Sequence, residues 1–168
     1  MFMKKLLTVI AGSVLFLAIS MEPAQGNFPG EHAPDFTLKS ISGKNLKLSE
    51  FRGRVILVNF WATWCKPCKE ELPYFNSLYT KYRDLGLEVL GINIDKDSLQ
   101  ASGMSQALNL TFPILLDPPG QVSSLYKIRS MPTTFVIGKD GTIRHIHWGF
   151  GPEDEDRYET EVRALLKE

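Results

Sequence analysis

Val55 to Phe60 (VILVNF) is a nearly continuous apolar run, the pattern of a central strand buried on both faces, and Leu87 to Ile94 reads as a second buried strand. Between them Phe75, Leu78, Tyr79 and Tyr82 recur at helical spacing, and Gly86 supplies a stop, so the three segments predict a β-α-β unit. Ahead of this unit, Asp35 to Lys39 and Asn45 to Leu48 alternate and meet through Ser42-Gly43, which predicts a hairpin. Ser49 to Phe51 reads as one helical turn. Downstream the pattern predicts a helix over Ser98 to Leu108 and a short strand over Phe112 to Leu116. Pro118-Pro119-Gly120 then breaks the chain before a helix through Tyr126. Thr133 to Ile137 and Thr142 to Trp148, joined by Gly138-Lys139-Asp140-Gly141, form the clearest hairpin. Residues 153 to 167 close the chain as an amphipathic helix, with Glu153 to Asp156 placed to offset its dipole. The whole predicts an α/β fold, a mixed sheet flanked by helices.

The N-terminal apolar run, Leu6 to Ile19, is different in kind. Its 14 residues follow Lys4 and Lys5, and Ala24-Gln25-Gly26 then offers small residues to a signal peptidase. The run is shorter than the ~20 residues of a membrane span. Residues 1–26 are therefore expected to be a signal peptide, with an uncleaved anchor over residues 6–21 as the alternative, and residues 27–168 one domain. No cysteine follows the run, which argues against lipoprotein processing. The expected location is exported, periplasmic or otherwise extracytoplasmic.

Composition narrows the function by exclusion. With 43% hydrophobic, 23% charged and 11% aromatic residues, the 168-residue chain matches an ordinary globular domain and excludes disorder, collagen, coiled coil and a multispan membrane protein. Nineteen basic side chains balance nineteen acidic ones, so no basic field exists to attract nucleic acid. The two cysteines, Cys65 and Cys68, are too few for a disulfide-stapled scaffold or a four-cysteine zinc site.

That pair closes the strand Val55 to Phe60, in the run Trp61-Ala62-Thr63-Trp64-Cys65-Lys66-Pro67-Cys68. Two thiols two residues apart at an exposed helix start can close a small disulfide ring. Unpaired N–H groups and the helix dipole favour a thiolate at Cys65, lowering its pKa below the usual value of about 8.5 and making it the nucleophile. Cys68, a turn deeper, is expected to stay a thiol until it resolves the mixed disulfide. Pro67 stiffens the first turn, where its missing N–H is no loss.

The segments VNFWATWCKPC, the following KEELP and SMPTTFVIGKDG together resemble the thioredoxin superfamily, and within it the exported TlpA/ResA-type thiol-disulfide oxidoreductases associated with cytochrome c maturation. The resemblance covers about residues 30 to 168. It implies a thioredoxin-like fold with an N-terminal β-hairpin extension and a central insertion over about residues 96 to 117. It also implies a cis Met131-Pro132 peptide facing the cysteines, with Trp64, Lys66 and Pro67 framing the site. No cofactor beyond the Cys65–Cys68 disulfide is implied. The partners implied are protein disulfides, apocytochrome c among them, and a membrane thiol electron donor, with the protein itself a monomer.

Glu71 is the candidate acid-base residue, because at 100° per residue it lies about 60° around the helix from Cys68, whereas Glu70 lies about 160° away. Cytosolic thioredoxins carry a buried aspartate where this chain has Asn59, and an amide cannot take a proton, so a carboxylate must come from elsewhere. A partly buried Glu71 would have a raised pKa and could accept the Cys68 proton. Trp64 is as well suited to packing as to recognition. His145 and His147 share a strand face, as solvated edge-strand residues or, with Cys65 and Cys68, as copper ligands. The sequence thus favours an exported thiol-disulfide oxidoreductase acting as a reductant. A copper-binding chaperone or a dithiol oxidase are the alternatives.

Overall fold

A computed structural model describes residues 29–168, so the signal-peptide and anchor expectations lie outside the described residues. The strands are β1 (Thr37–Ser40), β2 (Asn45–Lys47), β3 (Val55–Trp61), β4 (Leu87–Asn93), β5 (Ile114–Leu116), β6 (Thr133–Ile137) and β7 (Ile143–Trp148). The α-helices are α1 (Lys66–Tyr82), α2 (Ser98–Ala107), α3 (Gln121–Leu125) and α4 (Asp154–Leu166). The strands form one mixed sheet in the order β2-β1-β5-β4-β3-β6-β7. Every residue of β3 and β4 is buried, as their apolar runs require, and the two pair in parallel with α1 as the crossover.

Alternation along β3 sends its side chains to two cores. Val55, Leu57 and Trp61 meet Leu72, Phe75 and Leu78 of α1 and Tyr158, Val162 and Leu165 of α4, while Ala101 brings α2 to the same face. Ile56, Val58 and Phe60 point the other way, toward Val122 of α3, Tyr126 and Phe135. There Tyr126 stands edge-on to Phe135 at 5.0 Å and donates its hydroxyl hydrogen bond to the Pro34 carbonyl at 2.7 Å. Gly91 marks the tightest approach in the sheet. A Cβ there would sit 2.9 Å from the Phe112 ring and 3.2 Å from Trp61 Nε1.

The N-terminal hairpin is present as β1 and β2, and β1 adds antiparallel to β5, so the extension widens the sheet. The central insertion supplies α2 and β5. β5 begins later than the pattern predicts, at Ile114, because Pro113 has no N–H to place in the ladder; its carbonyl still accepts from Gly91 N–H at 3.0 Å. The outer edge of β7 is partly covered by the chain entering the domain, through Gly30 N–H to Ile143 O, Ile143 N–H to Glu31 O and a bridge between His32 and Thr142.

Candidate active site

β3 delivers the chain to a turn that is pinned before the cysteines begin. Both carboxylate oxygens of Asp95 accept from Thr63 N–H, at 3.0 and 3.3 Å, and Asn93 Nδ2 holds Asp95 at 2.8 Å. Cys65 is the N-cap of α1, and its Sγ accepts from Cys68 N–H at 3.2 Å. The two cysteines form a disulfide, with Cα atoms 5.3 Å apart. Cys65 is less open than a helix start suggests, because the surrounding walls leave it 5% exposed, and Cys68 is 0% exposed. That small window decides which sulfur a partner can reach.

A groove of about 500 Å³ opens on Cys65, lined by Trp64, Pro67, Ile94 and the segment from Ile128 to Met131. The Met131-Pro132 peptide is cis, and Met131 brings that loop to the groove. Trp64 is 69% exposed, so most of its surface is not packing. Lys66 is exposed on the first turn of α1 and does not line the groove.

Beneath Cys68, Glu71 is wholly buried. Asn59 Nδ2 donates to its Oε2 at 2.6 Å; the Tyr158 hydroxyl and Thr134 Oγ1 donate to Oε1 at 3.1 and 3.3 Å. Burial dominates and lifts its pKa from 4.5 to about 8, with the nearby Asp154 charge adding to the rise, while the three hydrogen bonds pull the other way. Asn59 Oδ1 is buried and has no hydrogen-bond partner among the described residues. Reversing that amide would turn an acceptor toward Glu71, suited to the protonated acid, so the pair can serve both states of the carboxyl. Glu70 is exposed, as the helical geometry requires.

Residues 29–146 match the AhpC/TSA family. The chain belongs to that family. Among curated relatives, thiol-disulfide oxidoreductase ResA of Geobacillus kaustophilus is 41% identical over 130 residues, covering 77% of this chain and 75% of the relative. The protein of the same name from Oceanobacillus iheyensis is 37% identical over 154 residues, covering 88% and 80%. Among solved structures, one from Chlorobium tepidum described as a thiol:disulfide interchange protein DsbE superposes with a TM-score of 0.80 at 35% identity, covering 83% of this chain and 98% of that one. This member of the family is a thiol-disulfide oxidoreductase of thioredoxin-like fold, with Cys65–Cys68 as its redox-active disulfide.

The structure corrects the view of the histidines. His147 is buried, not solvated: its Nε2 lies 2.8 Å from Glu161 Oε2, and its ring stands edge-on to Tyr158 at 4.6 Å. α4 lies over this face of the edge strand and brings both residues. His145 stays partly exposed, with Nδ1 3.5 Å from the same carboxylate. Among the described residues, no group of three or more His, Cys, Asp or Glu side chains is arranged to share a metal ion. Sequence reasoning missed Thr134 and Tyr158 as partners of Glu71. Thr134 pairs with Asn59 across β3 and β6, so a polar residue inside each apolar run was a usable signal; nothing local points to Tyr158.

Proposed function

We propose that this protein reduces disulfides in other proteins outside the cytoplasm. Cys65 thiolate attacks one sulfur of the partner disulfide, and the partner's other sulfur leaves as a thiolate and takes up a proton. Cys68 then gives its proton to Glu71 and attacks Cys65 Sγ. The internal disulfide closes, and the second partner sulfur leaves as a thiolate. Two electrons have passed to the partner. The observation that carries this reading is the reachable Cys65 at a helix N-terminus above a buried carboxyl that holds its proton up to about pH 8. That affinity is close to a thiol's, the condition for easy proton exchange; near neutrality about a tenth of the molecules hold the carboxylate ready to accept.

Trp64, Pro67 and Met131 frame the approach to Cys65, Pro132 fixes the loop behind it, and Lys66 contributes positive charge at the first turn. Pro67 before the second cysteine, as in reducing members of the superfamily, favours the reductive direction. The run from Leu6 to Ile19 behind Lys4 and Lys5 supports export of the domain over residues 27–168. An oxidising compartment returns such a dithiol to its disulfide, so a membrane thiol donor is required. The resemblance to cytochrome c maturation proteins makes apocytochrome c a client. The test is to mix reduced Cys68→Ser protein with extracytoplasmic extract and identify the trapped mixed disulfides. Capture of apocytochrome c or other disulfide-bearing proteins is expected. If the oxidised wild type instead transfers its disulfide to reduced clients faster than the reduced form reduces oxidised ones, the protein is a dithiol oxidase.

A further inference from the structure

Ile128 and Arg129 belong to two hollows at once: the groove on Cys65, and a second one of about 240 Å³ on the far side of the same loop. The walls of the second are Tyr126, Phe135, Ile146 and Trp148, closed by Thr133 and Lys127. Its outer wall, Trp148 on the edge strand β7, is 68% exposed. Lys127 and Arg129 are exposed and have no ion-pair partner among the described residues. Among the described residues, no acidic side chain lines either hollow. An aromatic and aliphatic cleft beside two uncommitted cations is matched by an apolar side chain next to a carboxylate.

We propose that this hollow is a second subsite for the disulfide-bearing polypeptide: it seats an aromatic side chain a few residues from the attacked cysteine, while Lys127 and Arg129 receive an adjacent carboxylate. The inference rests on the reading that Cys65 acts on polypeptides. Continuity selects this occupant, because a chain held at Cys65 crosses Ile128 and Arg129 directly into the cleft. A second copy is disfavoured, since a two-fold contact here would set Lys127 and Arg129 against their own kind.

The test uses the reduced full chain and synthetic peptides with one internal disulfide. One series carries Phe-Glu about two to five residues from a cysteine on either side, spacings set by ~3.3 Å per extended residue. The control series carries Ser-Lys at the same places. Hydroxyethyl disulfide, which reaches Cys65 but cannot span the cleft, gives the reference rate. At one placement Phe-Glu is expected to react about tenfold faster than Ser-Lys. Trp148→Ala and Lys127→Glu, both at residues that line only the second hollow, each abolish most of that preference and leave the hydroxyethyl disulfide rate unchanged, and Lys127→Glu moves the preference toward Ser-Lys. Equal rates for both series at every placement overturn the subsite and leave the reductase reading intact. Slowing of hydroxyethyl disulfide in step with the peptides also overturns it, by moving the effect to Cys65. A dimer broken by Trp148→Ala gives the cleft to a second copy. Discrimination seen only after removal of residues 1–28 gives it to the chain's own leading segment; either result overturns the proposal. Reaction with hydroxyethyl disulfide but with no peptide rejects the polypeptide reading itself.

Discussion

Replacing Glu71 by Gln keeps the outline of a wholly buried side chain and removes its titration. In the folded protein burial raises the Glu71 pKa to about 8, against an ordinary value of 4.5 that applies to the unfolded chain. Between those values the native state binds a proton that the unfolded state has lost, so stability falls as pH rises. The contribution is fully present below pH 4.5 and is lost as pH rises through about 8. From pH 5 to pH 9 the wild type loses about 4 kcal/mol through this one group. The assay is denaturant unfolding of the oxidised protein at both pH values, because the disulfide silences the cysteines and leaves Glu71 visible. Stability of Glu71→Gln minus that of wild type is expected to grow by about 4 kcal/mol across the interval, whatever its offset at pH 5. Glu70→Gln, on the exposed face, should track the wild type. Parallel pH profiles for Glu71→Gln and wild type would show that the carboxyl ionises at an ordinary pH, and the acid-base role would go with it.

Alkylation of the reduced protein with iodoacetamide should modify Cys65 before Cys68, as peptide mapping at short times would reveal; faster labelling of Cys68 reverses the assignment. Cys65→Ala should abolish disulfide reduction while His145→Ala and His147→Ala leave it nearly unchanged; high-affinity copper binding lost in the histidine variants would instead favour a metal chaperone. Gly91→Ala should destabilise the fold by about 1–3 kcal/mol through collision with Phe112 and Trp61, and an unchanged unfolding midpoint would show that those rings give way. Tyr158→Phe removes one donor to the Glu71 carboxylate and should move its titration upward, read as an upward shift in the pH dependence of Cys68 resolution; a profile unmoved by the change would leave Tyr158 a packing residue.

What could be read along the chain was whatever one element decides by itself. β3 and β4 announce themselves because burial on two faces leaves little room for polar residues, and the orientation of Glu71 follows from helical pitch alone. Elements whose limits depend on a neighbour were less legible. β5 is three residues long because its partner β1 pairs with only its last two positions and Pro113 cannot join the ladder. His147 looked solvated because alternation marks one face of an edge strand without saying whether a helix lies across it. Here α4 does.

The same distinction explains the cluster around Glu71. A polar group inside an apolar run cannot remain unpaired without cost, so Asn59 in β3 and Thr134 in β6 each implied a buried partner. Their common partner was not readable, because β6 becomes the neighbour of β3 only through an antiparallel pairing that joins Asn59 to Thr134, 75 positions further along the chain. Tyr158 is more remote still, 87 residues from Glu71 on the last helix. Three hydrogen bonds from three elements hold one carboxyl that burial would otherwise keep neutral to still higher pH. They favour the anion, and desolvation favours the acid. The proton affinity of Glu71 is therefore set by the tertiary fold as a whole, whereas its position below Cys68 is set by α1 alone.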